Sequence, residues 1–167
     1  SSIDGRFLAL AAITVGASVE FLGFPISGCA APVGALLISV PESLEKRRLD
    51  PGESLVMEMD SATVTDTRGN GPSASWTVTT VCSELSDGKG HVLGAQNFAY
   101  LVKNLTITGG LVITVQRLTS MSVPATILSA TSGQAINSAT WIPVITLSVP
   151  MEQIEGTYTG SITHSAF

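Results

Sequence analysis

SATWIPVITLSVPMEQIEGTYTGSITHSAF, residues 138–167, carries two runs with a two-residue period and almost no charge. In the first, Trp141, Pro143, Ile145, Leu147 and Val149 fall on one face. Thr140, Ile142, Val144, Thr146 and Ser148 fall on the other. In the second, Tyr158 and Ile162 share a face, opposite Thr157, Thr159, Ser161 and Thr163. Side chains alternate across a strand, so both runs predict strands with one buried face and one wet face. Pro150 to Gly156 supplies a proline, carboxylates and a glycine, a connection that ends one strand and starts the next.

The chain has 167 residues, the length of one domain with a sizeable core. Hydrophobic residues make up 44% and the mean hydropathy is +0.40. Charged residues make up only 13%, half the usual share of about 25%. Ser, Thr, Gly and Asn must therefore supply much of the wet surface, a composition suited to a protein outside the cell or packed against its own copies. The net charge is −5, and the one basic run, Lys46-Arg47-Arg48, is flanked by Glu42, Glu45 and Asp50. No basic face is available to neutralise phosphates, so nucleic acid is not an expected partner.

Residues 7–26, FLALAAITVGASVEFLGFPI, are the most hydrophobic part of the chain. With Arg6 before them and Cys29 after them they imitate a lipoprotein signal, but Glu20 sits inside the apolar region. Thirteen uncharged residues separate Arg6 from Glu20, short of the roughly 20 that span a bilayer, so no membrane span is expected. A strand fits better, with Ile13, Val15, Ala17, Val19 and Phe21 on one face and Thr14, Gly16, Ser18 and Glu20 on the other. This divides the chain into an apolar amino-terminal strand segment, 1–28, and a β-domain, 29–167.

Further strands follow at Ala35–Val40, Leu55–Val64, Ser75–Cys82, Asn97–Val102, Leu105–Thr108 and Leu111–Leu118. The apolar phase changes between Met59 and Ala62, which marks a bulge or a sheet crossing. Trp76, Val78, Thr80 and Cys82 share a face. Pro41–Leu49 and Ala135–Ala139 are the two places where a helical turn fits. Eight to ten strands, frequent turn signals and no α/β alternation predict an all-β, Ig-like or Greek-key sandwich.

Chemistry-bearing patterns are sparse. There is no G-x-S-x-G elbow, and His91 and His164 stand apart, in a Gly-rich turn and near the last strand's end, where surface or edge positions are expected. The Gly69-Asn-Gly71-Pro-Ser-Ala74 run leads into a strand rather than the helix a dinucleotide needs. Asp60, Asp66 and Asn70 lack calcium-loop spacing, so no metal and no cofactor is expected. Asn104-Leu105-Thr106 is a glycosylation sequon. Cys29 and Cys82 are either a disulfide or two separate thiols. Trp76, Trp141 and Tyr158 are candidates for stacking on a sugar polymer, or else for packing between the sheets.

Three segments carry a resemblance: ISVPESL from Ile38, ATVTDTRGNGPSASWTVTT from Ala62, and SATWIPVITLSVPMEQIEGTYTGSITHSA from Ser138. In order and content they resemble the WxL-like secreted surface proteins of Gram-positive bacteria, particularly the short actinomycete forms. Trp76-Thr77-Val78 matches the first W-x-L-type motif, whereas Thr163-His164-Ser165 stands where other members have a tryptophan. The resemblance implies an exported, non-catalytic β-sandwich at the cell surface with a cell-wall polymer as partner. The alternative partner is a copy of the same chain. Residues 13–21 would then complete a neighbour's sheet and build a homopolymeric fibre or pilus.

Overall fold

The computed structural model describes residues 8–19, 34–41, 43–44, 47–69 and 74–167. The expected all-β sandwich is the architecture found. Fourteen strands are described, of which β3 (Ser43–Leu44), β4 (Arg47–Leu49), β8 (Leu85–Ser86) and β9 (Val92–Leu93) have two or three residues, leaving ten longer ones. The longer strands are β1 (Leu8–Val19), β2 (Leu36–Ser39), β5 (Ser54–Glu58), β6 (Ala62–Asp66), β7 (Ala74–Cys82), β10 (Phe98–Thr108), β11 (Val112–Val115), β12 (Ala125–Gly133), β13 (Asn137–Ser148) and β14 (Gly156–Ala166). The two places where a helical turn fitted are strand instead: β3 and β4 lie in the first, and β13 starts in the second.

One sheet runs β11-β12-β7-β14-β1-β3, with β4 also on β1 and the β8–β9 hairpin on β14. The other runs β10-β13-β6-β2, with β5 also on β13. The inner faces meet in one core that includes Trp76, Val78 and Ile162 from the first sheet and Val64, Trp141 and Ile145 from the second. Full burial of each aliphatic side chain there contributes about 1.5–3 kcal/mol. The alternation read from residues 141–149 is realised: Trp141, Pro143, Ile145, Leu147 and Val149 are buried and Ser148 is exposed. Val144, placed on the wet face by its parity, is buried as well, at 6% exposure.

The phase change near Met59 is a bulge. Glu58 pairs with Val144 and Ala62 with Trp141, so four steps along one strand match three along β13. β5 and β6 are thus one interrupted strand on the same side of β13. Met59 N donates to the Pro143 carbonyl at 2.9 Å, which turns the edge of Pro143 toward the interruption. A proline in a central strand is tolerated there because the ladder is already broken where its N–H is missing. A second bulge interrupts β10, where Lys103 pairs with Ile142 and Thr106 with Thr140. Asn104 absorbs it with φ +53°, a left-handed conformation that asparagine accepts better than most residues. This bulge joins the two segments that the sequence suggested as separate strands.

The amino-terminal strand is real but sits in an unexpected way: β1 runs parallel to the last strand, β14, from Leu8 opposite Gly156 to Val19 opposite Ala166. On its other side it meets only short pieces, β3 at Ile13 and Thr14 and β4 at Leu8–Leu10. Phe21 and Cys29 lie outside the described residues.

Candidate functional site

The three aromatic candidates point inward. Trp76 is 2% exposed, and Trp141 and Tyr158 are fully buried. This corrects their reading as a polymer-stacking surface, because no ring face is open to a sugar. Strand alternation puts each on the core side, and each polar edge finds an internal partner, as buried indoles and phenols generally must. The Trp76 Nε1–H donates to Asn137 Oδ1 at 2.9 Å, while Asn137 Nδ2 donates to the Gln134 carbonyl at 2.8 Å. The Tyr158 hydroxyl donates to the Ile154 carbonyl at 2.9 Å and accepts from Gln153 Nε2 at 2.8 Å.

Beside Trp76, the D-x-R-G run closes on itself. Arg68 Nε and Nη2 donate to the two carboxylate oxygens of Asp66 at 3.0 and 2.9 Å, and Nη2 also reaches the Ser75 carbonyl at 2.8 Å. Burial of Asp66 would raise its pKa, but the hydrogen bonds and charge of Arg68, with a further bond from Asn137, win and hold it below the usual range. Gly34 packs against this loop so closely that a Cβ would overlap the Thr67 carbonyl. Asp66 therefore serves the fold rather than a calcium ion. Asn70 lies outside the described residues.

Around Trp141 a second polar chain crosses the core. Trp141 Nε1–H donates to the Tyr100 hydroxyl at 2.9 Å, and that hydroxyl lies 3.0 Å from His164 Nε2. His164, expected at an edge or surface, is 0% exposed. It shares the inward parity of Tyr158 and Ile162 and sits between β7 and β1, so its position in the last strand gives it no access to water. Burial alone pushes its imidazole down to about 4, and burial likewise pushes the Tyr100 phenol up. His164 Nδ1 and the Oγ1 of Thr80, the residue opposite it on β7, have no hydrogen-bond partner among the described residues. Neither Tyr100 nor Asn137 stood out in the sequence. The parity of Phe98 and Tyr100 was the available signal for the first, and nothing local marked the second.

Cys82 is buried with a free thiol whose Sγ donates to the Ser83 carbonyl at 3.2 Å, and burial pushes it up to about 12. Such a thiol is a weak nucleophile. His91 pairs through Nδ1 with Asp87 Oδ2 at 2.6 Å. Shelter from solvent would raise the Asp87 carboxyl, but hydrogen bonds from His91 and Lys89 outweigh it and bring it to about 2. Shallow clefts of about 460 and 380 Å³ flank this turn, one lined by Asp87, Lys89 and Glu155, the other by Glu84, His91 and Glu152. Among the described residues no three His, Cys, Asp or Glu side chains are grouped to hold a metal, and no helix is long and apolar enough to cross a membrane.

The outer face of the first sheet has a different character. Ser165, Thr79 and Thr126 form one row across β14, β7 and β12. Thr77, Ser129 and Thr114 form a second across β7, β12 and β11, and Thr163 lies beside Val81. All are half-buried or exposed and none carries a charge. On the opposite side of β14, the parallel register sets Thr14, Gly16 and Ser18 beside Ser161, Thr163 and Ser165. It sets Ile13, Val15, Ala17 and Val19 beside Gly160, Ile162, His164 and Ala166, the core-facing positions. Four of the five residues chosen from sequence as subunit contacts, Ile13, Val15, Ala17 and Val19, thus share the register of the core in their own chain.

Comparison with protein-family models, with curated proteins and with solved structures returned no match.

Proposed function

We propose that this chain is a non-catalytic structural module of the cell exterior, working through its outer surfaces rather than through a pocket. The observation that carries this is the charge-free hydroxyl face of β14, β7, β12 and β11. Rows of Thr and Ser offer hydroxyls and methyls at the strand spacing of about 4.8 Å, a surface suited to a neutral, hydroxyl-rich wall polymer. The low charged fraction, 13%, and the W-T-V and G-T-Y-T-G segments that resemble WxL-like surface proteins support the same reading. The test is sedimentation with purified cell walls. The native chain is expected to co-sediment, and the double variant Thr79→Glu/Thr163→Glu, folded by circular dichroism, to stay in solution. A native chain that ignores walls sinks the proposal.

A second reading has its own observation, the docking of β1. This strand pairs along β14 for its whole length but is capped on its far side only by β3 and β4. Such a strand can be supplied by a neighbouring copy, with main-chain hydrogen bonds giving strength and alternate side chains filling the core. In that reading the chain is the subunit of an extracellular fibre. A truncated chain beginning at Ala30 should then lose its polymers, remain folded and accept an added β1 peptide. Polymers that persist after truncation exclude it.

A further inference from the structure

The joint between β14 and β1 contains the one buried imidazole of the described core. His164 lies between Thr80 of β7 and Ala17 of β1, and the Tyr100 ring stands edge-on to it, with centroids 5.5 Å apart and planes at 62°. The Tyr100 hydroxyl accepts from Trp141 and keeps its own proton to give, and His164 Nε2 lies 3.0 Å away to receive it. In that arrangement the ring is neutral with its proton on Nδ1, the atom that lacks a partner among the described residues. A proton added at Nε2 would remove the acceptor of the Tyr100 proton and leave a charge in the core.

Among the described residues, the surrounding groups offer no compensation. Tyr100 from β10 and Cys82, the next inward residue of β7, are the titratable neighbours, and burial keeps both neutral in acid. Trp141 from β13 and Thr80 do not titrate, and β1 itself, LALAAITVGASV, has no ionisable side chain.

We propose that protonation of His164 releases β1 from β14 and thereby gates exchange of this strand between copies of the chain, an inference that rests on the strand-donation reading above. Departure of β1 makes β14 an edge and opens the flank of the ring to water, which can solvate an imidazolium. With β1 docked, burial holds the imidazole at about 4; with β1 away, water reaching that flank raises it from there toward the ordinary range. The released state therefore binds the proton more tightly, and acid favours release. The effect begins as pH falls below 6.5 and is complete below 4. Relative to pH 7, the release equilibrium rises at pH 5 by no more than about 20-fold, the value reached if β1 supplies all of the ring's shelter.

Uptake of a fluorescent peptide of residues 8–19 by the full chain tests this between pH 7 and 4.5. The His91→Asn variant keeps His164 as its sole histidine, so the imidazole resonance can be followed by NMR in the same samples. Uptake is expected to rise by pH 5, by up to about 20-fold and in step with that resonance, and to stay flat in His164→Gln. Uptake that ignores pH, or a pH dependence that survives in His164→Gln, overturns the gate and leaves strand donation standing. No uptake at any pH overturns both. If His164→Gln does not fold, the match between uptake and the His164 titration decides, and a mismatch overturns the gate.

Discussion

The two tryptophans sit in comparable places and are treated differently by their surroundings. Trp76 belongs to a cluster in which each polar partner is itself held: Asn137 by the Gln134 carbonyl, Asp66 by a bidentate Arg68 that is 26% exposed. Trp141 begins a chain that runs through Tyr100 to His164 and stops at Nδ1, which has no partner among the described residues. The first cluster reaches the surface, where a charge is cheap to keep. The second is sealed between the sheets, where a charge is costly and the chain must stay neutral. The same indole donor therefore marks a robust tie at one site and an acid-sensitive one at the other.

The largest blow to the sealed chain is Trp141→Ala, expected to cost about 4 kcal/mol through the cavity and the lost hydrogen bond, read by denaturant unfolding. Acid comes next. Because His164 titrates lower folded than unfolded, its neutral form is the one the fold accepts, and stability is whole above pH 6.5. It falls as pH drops toward 4, by about 3 kcal/mol. Unfolding curves at pH 7 and 4.5 should show most of this loss in the native chain and less of it in His164→Gln. At the other tryptophan, Asn137→Ala strands a buried indole N–H and should cost about 2 kcal/mol, with no added sensitivity between pH 7 and 5. The smallest effect tests the orphan itself. Thr80→Val removes a hydroxyl without a partner among the described residues and should leave stability within about 1 kcal/mol of the native chain or raise it. A loss above 2 kcal/mol would show that Thr80 has a partner in solution.

Much of the sandwich was legible because period-two patterning reports burial directly. Residues 74–82 follow their parity, residues 141–149 do so except at Val144, and the shift at Met59 marked a bulge or a sheet crossing before any pairing was known. Pairing across long distances was not legible. Nothing in LALAAITVGASV says that it lies parallel to the last strand, because main-chain hydrogen bonds carry no sequence signature. The candidate aromatic residues were correctly singled out as distinctive, but their role depends on a sheet that packs over them. His164 was misplaced for the same reason: being near a chain end says little about access when another strand covers it.

The parallel pairing of β1 with β14 also has a mechanical consequence. Leu8 begins one strand beside Gly156, while Ala166 ends the other beside Val19. A pull that drew Leu8 and Ala166 apart would slide the two strands along each other. Their hydrogen bonds lie across that direction of force and would have to give way together, instead of opening one at a time from an end. Tension applied along this pair of strands would thus load their hydrogen bonds in parallel.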